Sequence, residues 1–303
     1  MTLRCLFVDF NSYFASVEQF DEPRLRGRPV GVVPVMATTT CCIAASREAK
    51  LQGVKTGTPV REALERCPDI MIVQARPARY VELHHQLIAA IEDCIPIDGK
   101  PLSIDEVACR LMGRERQRDN AVAIAHKIKR TLIDRGLSPA IRCSVGIAPN
   151  TFLAKTASDI EKVDGLTVVE LADLPRALHG LELQDLCGVG PSMLQRLHEA
   201  GITSVAQLTA APREHLRAIW GGIEGERFWA QLRGIEPPSR QRSAVGSVGH
   251  SHVLDPQMRN AEGMRSVMFK LLAKANACRS PANLSSANLS KNSASSAAWT
   301  RRK

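Results

Sequence analysis

Two short apolar runs in this sequence close on acids: CLFVDF at residues 5–10 and LSIDEV at residues 102–107. A carboxylate at the end of a buried strand is costly unless a cation balances it. If the two runs are neighbouring strands of one sheet, Asp9, Asp105 and Glu106 converge. Converging carboxylates raise one another's pKa unless a hard divalent cation sits among them. Oxygen donors with positions left open for phosphate suit Mg²⁺. Two such ions can activate an attacking hydroxyl and stabilise the leaving oxygen of an in-line phosphoryl displacement. A second reading stays open at this level, in which Asp9 caps the next helix and Asp105–Glu106 forms a surface turn.

The pattern around these runs gives the fold class. LRCLFVDF reads as a buried strand, with Asn11 and Ser12 placed to cap the helix SYFASVEQF that follows. VGVVPV (30–35) reads as a strand, and CCIAASREAKLQG (41–53) as a helix closed by Gly53. A four-turn helix is expected near 78–95, and 101–111 reads as a strand interrupted by acids, in a hairpin. The stretch 120–136 is amphipathic, with Ala121, Ala125, Ile128 and Leu132 on one face and Gly136 as its stop. IRCSVGIA (141–148) alternates like a strand, Asn150 caps TFLAKTASDIEK, and LTVVEL (166–171) is the next strand. That order suits an α+β sheet with helices on one face. Beyond residue 172 the pattern is helical. EPPSRQRSAVG (236–246) reads as a linker; a strand, SVGHSHVL, and a helix over 259–275 follow; from Asn276 the Ser/Ala/Asn-rich tail lacks the apolar content to fold.

Composition narrows the class of protein. The 303 residues suffice for two or three domains, and 44% hydrophobic with 23% charged residues is the balance of a soluble globular chain. No apolar run reaches the ~20 residues of a membrane span, and MTLRCLFVDFNSYF, with an acid inside its apolar stretch, does not read as a signal peptide. Nine cysteines without a CxxC pair read as free thiols in a reducing compartment, which places the protein in the cytoplasm. The net charge of +9 suggests an anionic partner, yet five basic residues and no acid lie in the last 28 positions, so the body is only mildly basic.

Five ordered segments then carry a resemblance: VDFNSYFASVEQ, PRLRGRPVGV, AASREAKLQGVKTGTP, LSIDEV and SVGIAPNTFLAKTASDIEKVDG. Together they resemble the Y-family DNA polymerases of the DinB/UmuC, DNA polymerase IV-like type, over about residues 3–275. The resemblance implies an α+β fold with a ferredoxin-like palm sheet, small fingers, an all-helical thumb containing a helix–hairpin–helix, and an incomplete little finger. By position, residues 1–11 and 78–171 are the palm, 12–77 the fingers, 172–235 the thumb, 236–246 a linker, 247–275 a little-finger fragment and 276–303 a disordered tail.

The resemblance also implies roles. Asp9, Asp105 and Glu106 match the catalytic metal-binding carboxylates, with the Phe10 carbonyl as a further ligand of two Mg²⁺ ions. Phe14 matches the steric gate that excludes a 2′-hydroxyl, with Tyr13 beside it. Lys162 matches a lysine that contacts the triphosphate. Lys50 stands where arginine is usual and Arg47 where tyrosine is usual, so nucleotide binding is expected to be differently tuned. Gly188 and Gly190 of LCGVGP would let backbone amides at a helix start face a DNA phosphate, and Arg240 and Arg242 would add phosphate contacts. GVKTGTP (53–59) lacks the phosphate-loop pattern and reads as a turn.

The function implied is error-prone, template-directed DNA synthesis past lesions, with primer–template DNA and deoxynucleoside triphosphates as partners and a monomeric chain. A sliding clamp stays open as a partner, though the tail holds no evident clamp-binding peptide. Two rivals remain at this stage. One is a truncated DNA-binding accessory protein with little synthesis of its own; the other is a different two-metal palm enzyme such as a nucleotide cyclase.

Overall fold

The computed structural model describes residues 3–238 and 250–279. Along the chain come β1 (Cys5–Phe10), α1 (Tyr13–Asp21), β2 (Val30–Val33), β3 (Ala44–Ala45), α2 (Arg47–Leu51), α3 (Val60–Arg66), β4 (Met71–Gln74) and α4 (Pro77–Glu92). Then follow β5 (Glu106–Arg110), α5 (Arg118–Asp134), β6 (Cys143–Ala148), α6 (Thr151–Ile160) and β7 (Leu166–Val168). The last helices are α7 (Pro191–Glu199), α8 (Val205–Ala210), α9 (Arg213–Trp220), α10 (Ile223–Gln231) and α11 (Ala261–Arg279). Two units emerge, one from residues 3–11 and 86–238 and one from residues 12–85 and 250–279.

The first unit is built on a four-stranded sheet in the order β5-β1-β6-β7, with β1 antiparallel to both neighbours and β6 parallel to β7. Every residue of CLFVDF is buried. Cys5 and Phe7 join the core shared with α6 and the later helices, while Leu6 and Val8 are equally sealed on the other face. A continuous apolar run, not an alternating one, marks a strand covered on both sides, so the expectation of helices on one face only was too narrow. Helix α5 buries Ala121, Ala125, Ile128 and Leu132 as its periodicity predicts, and Gly136, at φ +71°, turns the chain just past its end.

Helix α6 lies close on the sheet for two reasons. Asn150 caps it, its Oδ1 accepting from the Leu153 amide at 2.8 Å. Gly146 in β6 removes the obstacle beneath it: a Cβ there would stand 1.9 Å from the Ala154 carbonyl oxygen. The helical segment beyond β7 then packs into the same core, with Phe152 edge-on to Phe228 at 5.2 Å. The Asn150 amide ties the two regions by donating to the carbonyls of Gln231 (2.8 Å) and Ile235 (3.1 Å).

The second unit holds a three-stranded sheet, β3-β2-β4, over a small core of Val33, Cys42, Ala45, Ala49, Val54, Val60 and Ala63. The segment 41–53 is not one helix as expected. Its first part pairs as β3, and Ser46 ends the strand and caps α2, its Oγ accepting from the Ala49 amide. Ser12 sits at the start of α1 in a left-handed conformation (φ +49°) and offers no side-chain cap; its Oγ accepts from Lys50 Nζ at 2.8 Å. The strand expected at 247–254 is absent from residues 250–254, and residues 247–249 lie outside the described residues. Among the described residues no strand of either sheet pairs with 250–254, and an extended segment without a pairing strand forms no ladder. The helix predicted over 259–275 is present as α11, running on to Arg279, and residues 280–303 lie outside the described residues.

Candidate active site

The two acid-ending runs are neighbours. In the β1–β5 ladder Asp9 is the register partner of Glu106, and the Phe10 amide donates to the Asp105 carbonyl at 2.9 Å. Strand β5 begins only at Glu106; Asp105 lies in the turn before it, where its Oδ1 accepts from Ser103 Oγ at 2.5 Å. The predicted hairpin therefore puts one acid in the strand and one in the turn. Among the described residues no three acidic, histidine or cysteine side chains close on a single point. Successive residues leave the backbone in different directions, and Glu106 is drawn to a lysine.

That lysine is Lys155 of α6. Its Nζ stands 2.5 Å from Glu106 Oε1 and 3.7 Å from Asp9 Oδ2, lies 5.1 Å from the centre of the Phe7 ring, and reaches Asp159 at 3.9 Å. Lys162 approaches Asp9 from the other side, 3.3 Å from Oδ1, and pairs with Asp159 at 2.6 Å. The result is an alternating string of charge: Glu106, Lys155, Asp9, Lys162, Asp159.

Asp9 is only 5% exposed. Burial pushes its carboxyl up to about 6; the Lys162 and Lys155 ammoniums pull against this, and Asp159 and Asp105 add to it. Both lysines respond in the opposite sense. Desolvation lowers the pKa of Lys155, but Glu106, Asp159 and Asp9 outweigh it and the net shift is upward. Lys162 is likewise raised overall, Asp9 and Asp159 overcoming desolvation. At Asp9 the cost of burial thus outweighs the attraction of both ammoniums. A donor set of carboxylates and a backbone carbonyl, with residual negative charge in low dielectric, fits a hard divalent cation.

The other predicted residues belong to the second unit and to the helical segment. Phe14 stacks on Tyr80, ring centres 4.4 Å apart and planes 15° from parallel. Tyr80 is itself fixed at both ends: its carbonyl accepts from Tyr13 Oη at 2.6 Å, and its own hydroxyl donates to Glu18 Oε1 at 2.6 Å. Tyr13 is buried, its ring tilted 49° to that of Phe14. Arg47 and Lys50 are exposed on the short helix α2. Within 53–59, Gly53 and Gly57 take positive φ, as a turn there requires. Gly188 (φ +92°) makes the turn that only glycine takes easily, while Gly190 is the extended N-cap of α7 and Pro191 its first residue. A short 3₁₀ turn, Leu183–Asp185, precedes this hairpin in place of a full helix. Arg240 and Arg242 lie outside the described residues.

Sequence reasoning missed Lys155, Asp159, Tyr80 and Glu18. The available signal for Lys155 was its position inside FLAKTAS, a lysine surrounded by residues the helix buries; Asp159 follows it by one turn.

Comparison with known proteins assigns the family. A model described as the impB/mucB/samB family matches residues 8–159, and one described as DNA polymerase-iota, thumb domain, matches residues 184–236. The chain belongs to the impB/mucB/samB family, the DinB-type Y-family polymerases. It is 35% identical over 271 residues to DNA polymerase IV of Moorella thermoacetica, covering 88% of this chain and 66% of that one. With DNA polymerase IV 1 of Bacillus subtilis it shares 32% identity over 270 residues (88% and 64%), and with DNA polymerase IV of Halorhodospira halophila 31% over 272 (89% and 75%). Against the first two relatives the chain spans slightly under two thirds of their length. Among solved structures it is similar to DinB from Sulfolobus solfataricus (28% identity, TM-score 0.67, 77% of this chain and 68% of that one) and to an insertion ternary complex of Dbh DNA polymerase (27%, 0.68, 82% and 71%).

Proposed function

We propose that this chain is a template-directed DNA polymerase that extends primers across damaged templates. The observation that carries this reading is the buried Asp9 facing Glu106 across adjacent strands, with Lys155 and Lys162 on either side, in a chain of this family. Asp9, Asp105, Glu106 and the Phe10 carbonyl are the groups that would hold Mg²⁺. Two bound ions would neutralise the triphosphate and favour ionisation of the primer 3′-hydroxyl.

The chain's own residues account for the remainder. Lys162, with Lys50 and Arg47, takes up negative charge on the β- and γ-phosphates as the primer oxygen bonds to the α-phosphorus and pyrophosphate departs. Phe14, backed by the stacked Tyr80 ring, fills the space a 2′-hydroxyl would need. The amides at the start of α7 face duplex phosphates without reading sequence. In this reading residues 1–11 and 78–171 act as palm, 12–77 as fingers and 172–235 as thumb, in a cytoplasmic, monomeric enzyme. Among the described residues no helix is long and apolar enough to cross a membrane.

The test is primer extension by the purified chain with Mg²⁺ and each deoxynucleotide, beside an Asp105→Ala, Glu106→Ala double variant. Template-dependent extension lost in the variant supports a polymerase. Tight primer–template binding without extension would replace it with a DNA-binding accessory role. Cyclic-nucleotide formation without template would mark a different two-metal enzyme.

A further inference from the structure

Lys162 sits on the loop between α6 and β7, and that loop is held by side chains from other elements of the first unit. Lys129, on α5, is 17% exposed at its side chain. Its ammonium donates to the Cys143 carbonyl (3.0 Å), the Asp164 carbonyl (2.6 Å) and Asp164 Oδ1 (2.6 Å). Three acceptors match the three donors an ammonium has. Asn11, at the end of β1 and 6% exposed, accepts from the Asp164 amide at 3.0 Å through Oδ1 and donates through Nδ2 to Ser144 Oγ at 3.0 Å. Ser144, fully buried in β6, donates to the Glu161 carbonyl at 3.2 Å.

These bonds grip both ends of a tight turn. Asp164 has φ +64°, a left-handed conformation that an aspartate tolerates but that surrounding contacts must hold. Glu161 and Asp164 bracket Lys162, whose ammonium lies 3.3 Å from Asp9 Oδ1. A lysine on an amphipathic helix ordinarily extends to solvent; Lys129 instead spends its charge on two carbonyls and one carboxylate of this loop.

We propose that Lys129 and Asn11 are positioning residues that fix the loop 161–165 and so set the Lys162 ammonium beside Asp9. Triphosphate binding then depends on two residues that act one step behind the one that contacts it. The inference rests on the reading of Lys162 as a triphosphate ligand, and the experiment separates the two.

Affinity of the full chain, on primer–template, is measured for a deoxynucleoside triphosphate with a non-hydrolysable α,β-imido bridge. The proteins are wild type, Lys162→Ala, Lys129→Met, Lys129→Arg, Asn11→Ala and the Lys129→Met, Lys162→Ala double variant. Losing a charge-assisted contact predicts about tenfold weaker binding for Lys162→Ala and about fivefold for Lys129→Met and Asn11→Ala. Lys129→Arg restores affinity to within about twofold, primer–template affinity stays within about twofold throughout, and Lys129→Met adds less than about twofold once Lys162 is gone. Wild-type affinity in both Lys129→Met and Asn11→Ala overturns the positioning role alone. So does a loss that is undiminished in the Lys162→Ala background, which would mark general structural damage. Wild-type affinity in Lys162→Ala itself overturns the triphosphate reading and the proposal with it.

Discussion

A buried carboxylate held between two lysines carries a stability cost. Asp9 has its pKa raised from an ordinary 3.8 to about 6, so the folded protein binds a proton more tightly than the unfolded chain. The stabilisation from that proton is complete below about pH 4 and is lost as the pH rises through about 6. In chelator at pH 7, Asp9→Asn should therefore unfold at higher temperature than wild type, by on the order of 1–2 kcal/mol of stability. Its melting temperature should also vary less between pH 4 and 7. An unchanged melting temperature and pH profile would show that Asp9 is already fully compensated.

Lys155 makes a sharper case at the same scale. Its ammonium shares Glu106 and Asp9, and removing one partner of a buried pair leaves the other uncompensated. Lys155→Met should lose primer extension by about 100-fold or more and unfold about 2–3 kcal/mol more easily in chelator. Lys155→Arg, which keeps the charge but not the compact geometry, should recover most stability and only part of the activity. Chemical denaturation beside single-nucleotide extension measures both, and wild-type extension by Lys155→Met would remove Lys155 from the working site.

Among the elements, the contact of β6 with α6 sets where Lys155 stands. The missing side chain of Gly146 is what allows it, since a Cβ would fall 1.9 Å from the Ala154 carbonyl oxygen and 2.4 Å from the Ser158 amide nitrogen, both backbone atoms of α6. A rigid helix cannot yield locally, so Gly146→Ala should destabilise by about 3 kcal/mol or more and reduce extension even in molecules that fold. Urea denaturation gives the first quantity; a loss below about 1 kcal/mol would mean that α6 shifts freely.

The same elements show how far sequence reaches. Strand β1, the amphipathic face of α5, its glycine stop and the Asn150 cap were all legible, because each follows from local periodicity or local hydrogen bonding. The family blocks named Asp9, Asp105 and Glu106 as a group, and the ladder puts two of them opposite each other. What local pattern could not supply was the partner of a charge 49 residues away, as Lys155 is for Glu106, or the use of Lys129 on a carbonyl 35 residues ahead. A lysine within a helix reads as solvated until tertiary structure brings acceptors to it. Segment 41–53 was misread for a related reason: CCIAAS has helix-compatible residues, and only pairing with β2 makes part of it a strand.

For the molecule as a whole, apolar surface is distributed unevenly. The sheet of the first unit buries apolar side chains on both of its faces, but α11 presents Met264, Met268, Phe269 and Leu272 each at least 50% exposed. Residues 264, 268 and 272 recur at the helical interval of four, so the exposure forms a stripe and not isolated points. A stripe of this kind contributes little to folding, since its members remain in contact with water, yet it offers surface for association as concentration rises. Replacing Met268 and Leu272 together with glutamate should leave the melting temperature within about a degree of wild type, because exposed substitutions typically change stability by under about 0.5 kcal/mol. The same pair should reduce concentration-dependent light scattering at moderate salt, since added acids favour solubility. A clear drop in melting temperature would instead show that α11 is packed on this face and that its apolar residues support the fold.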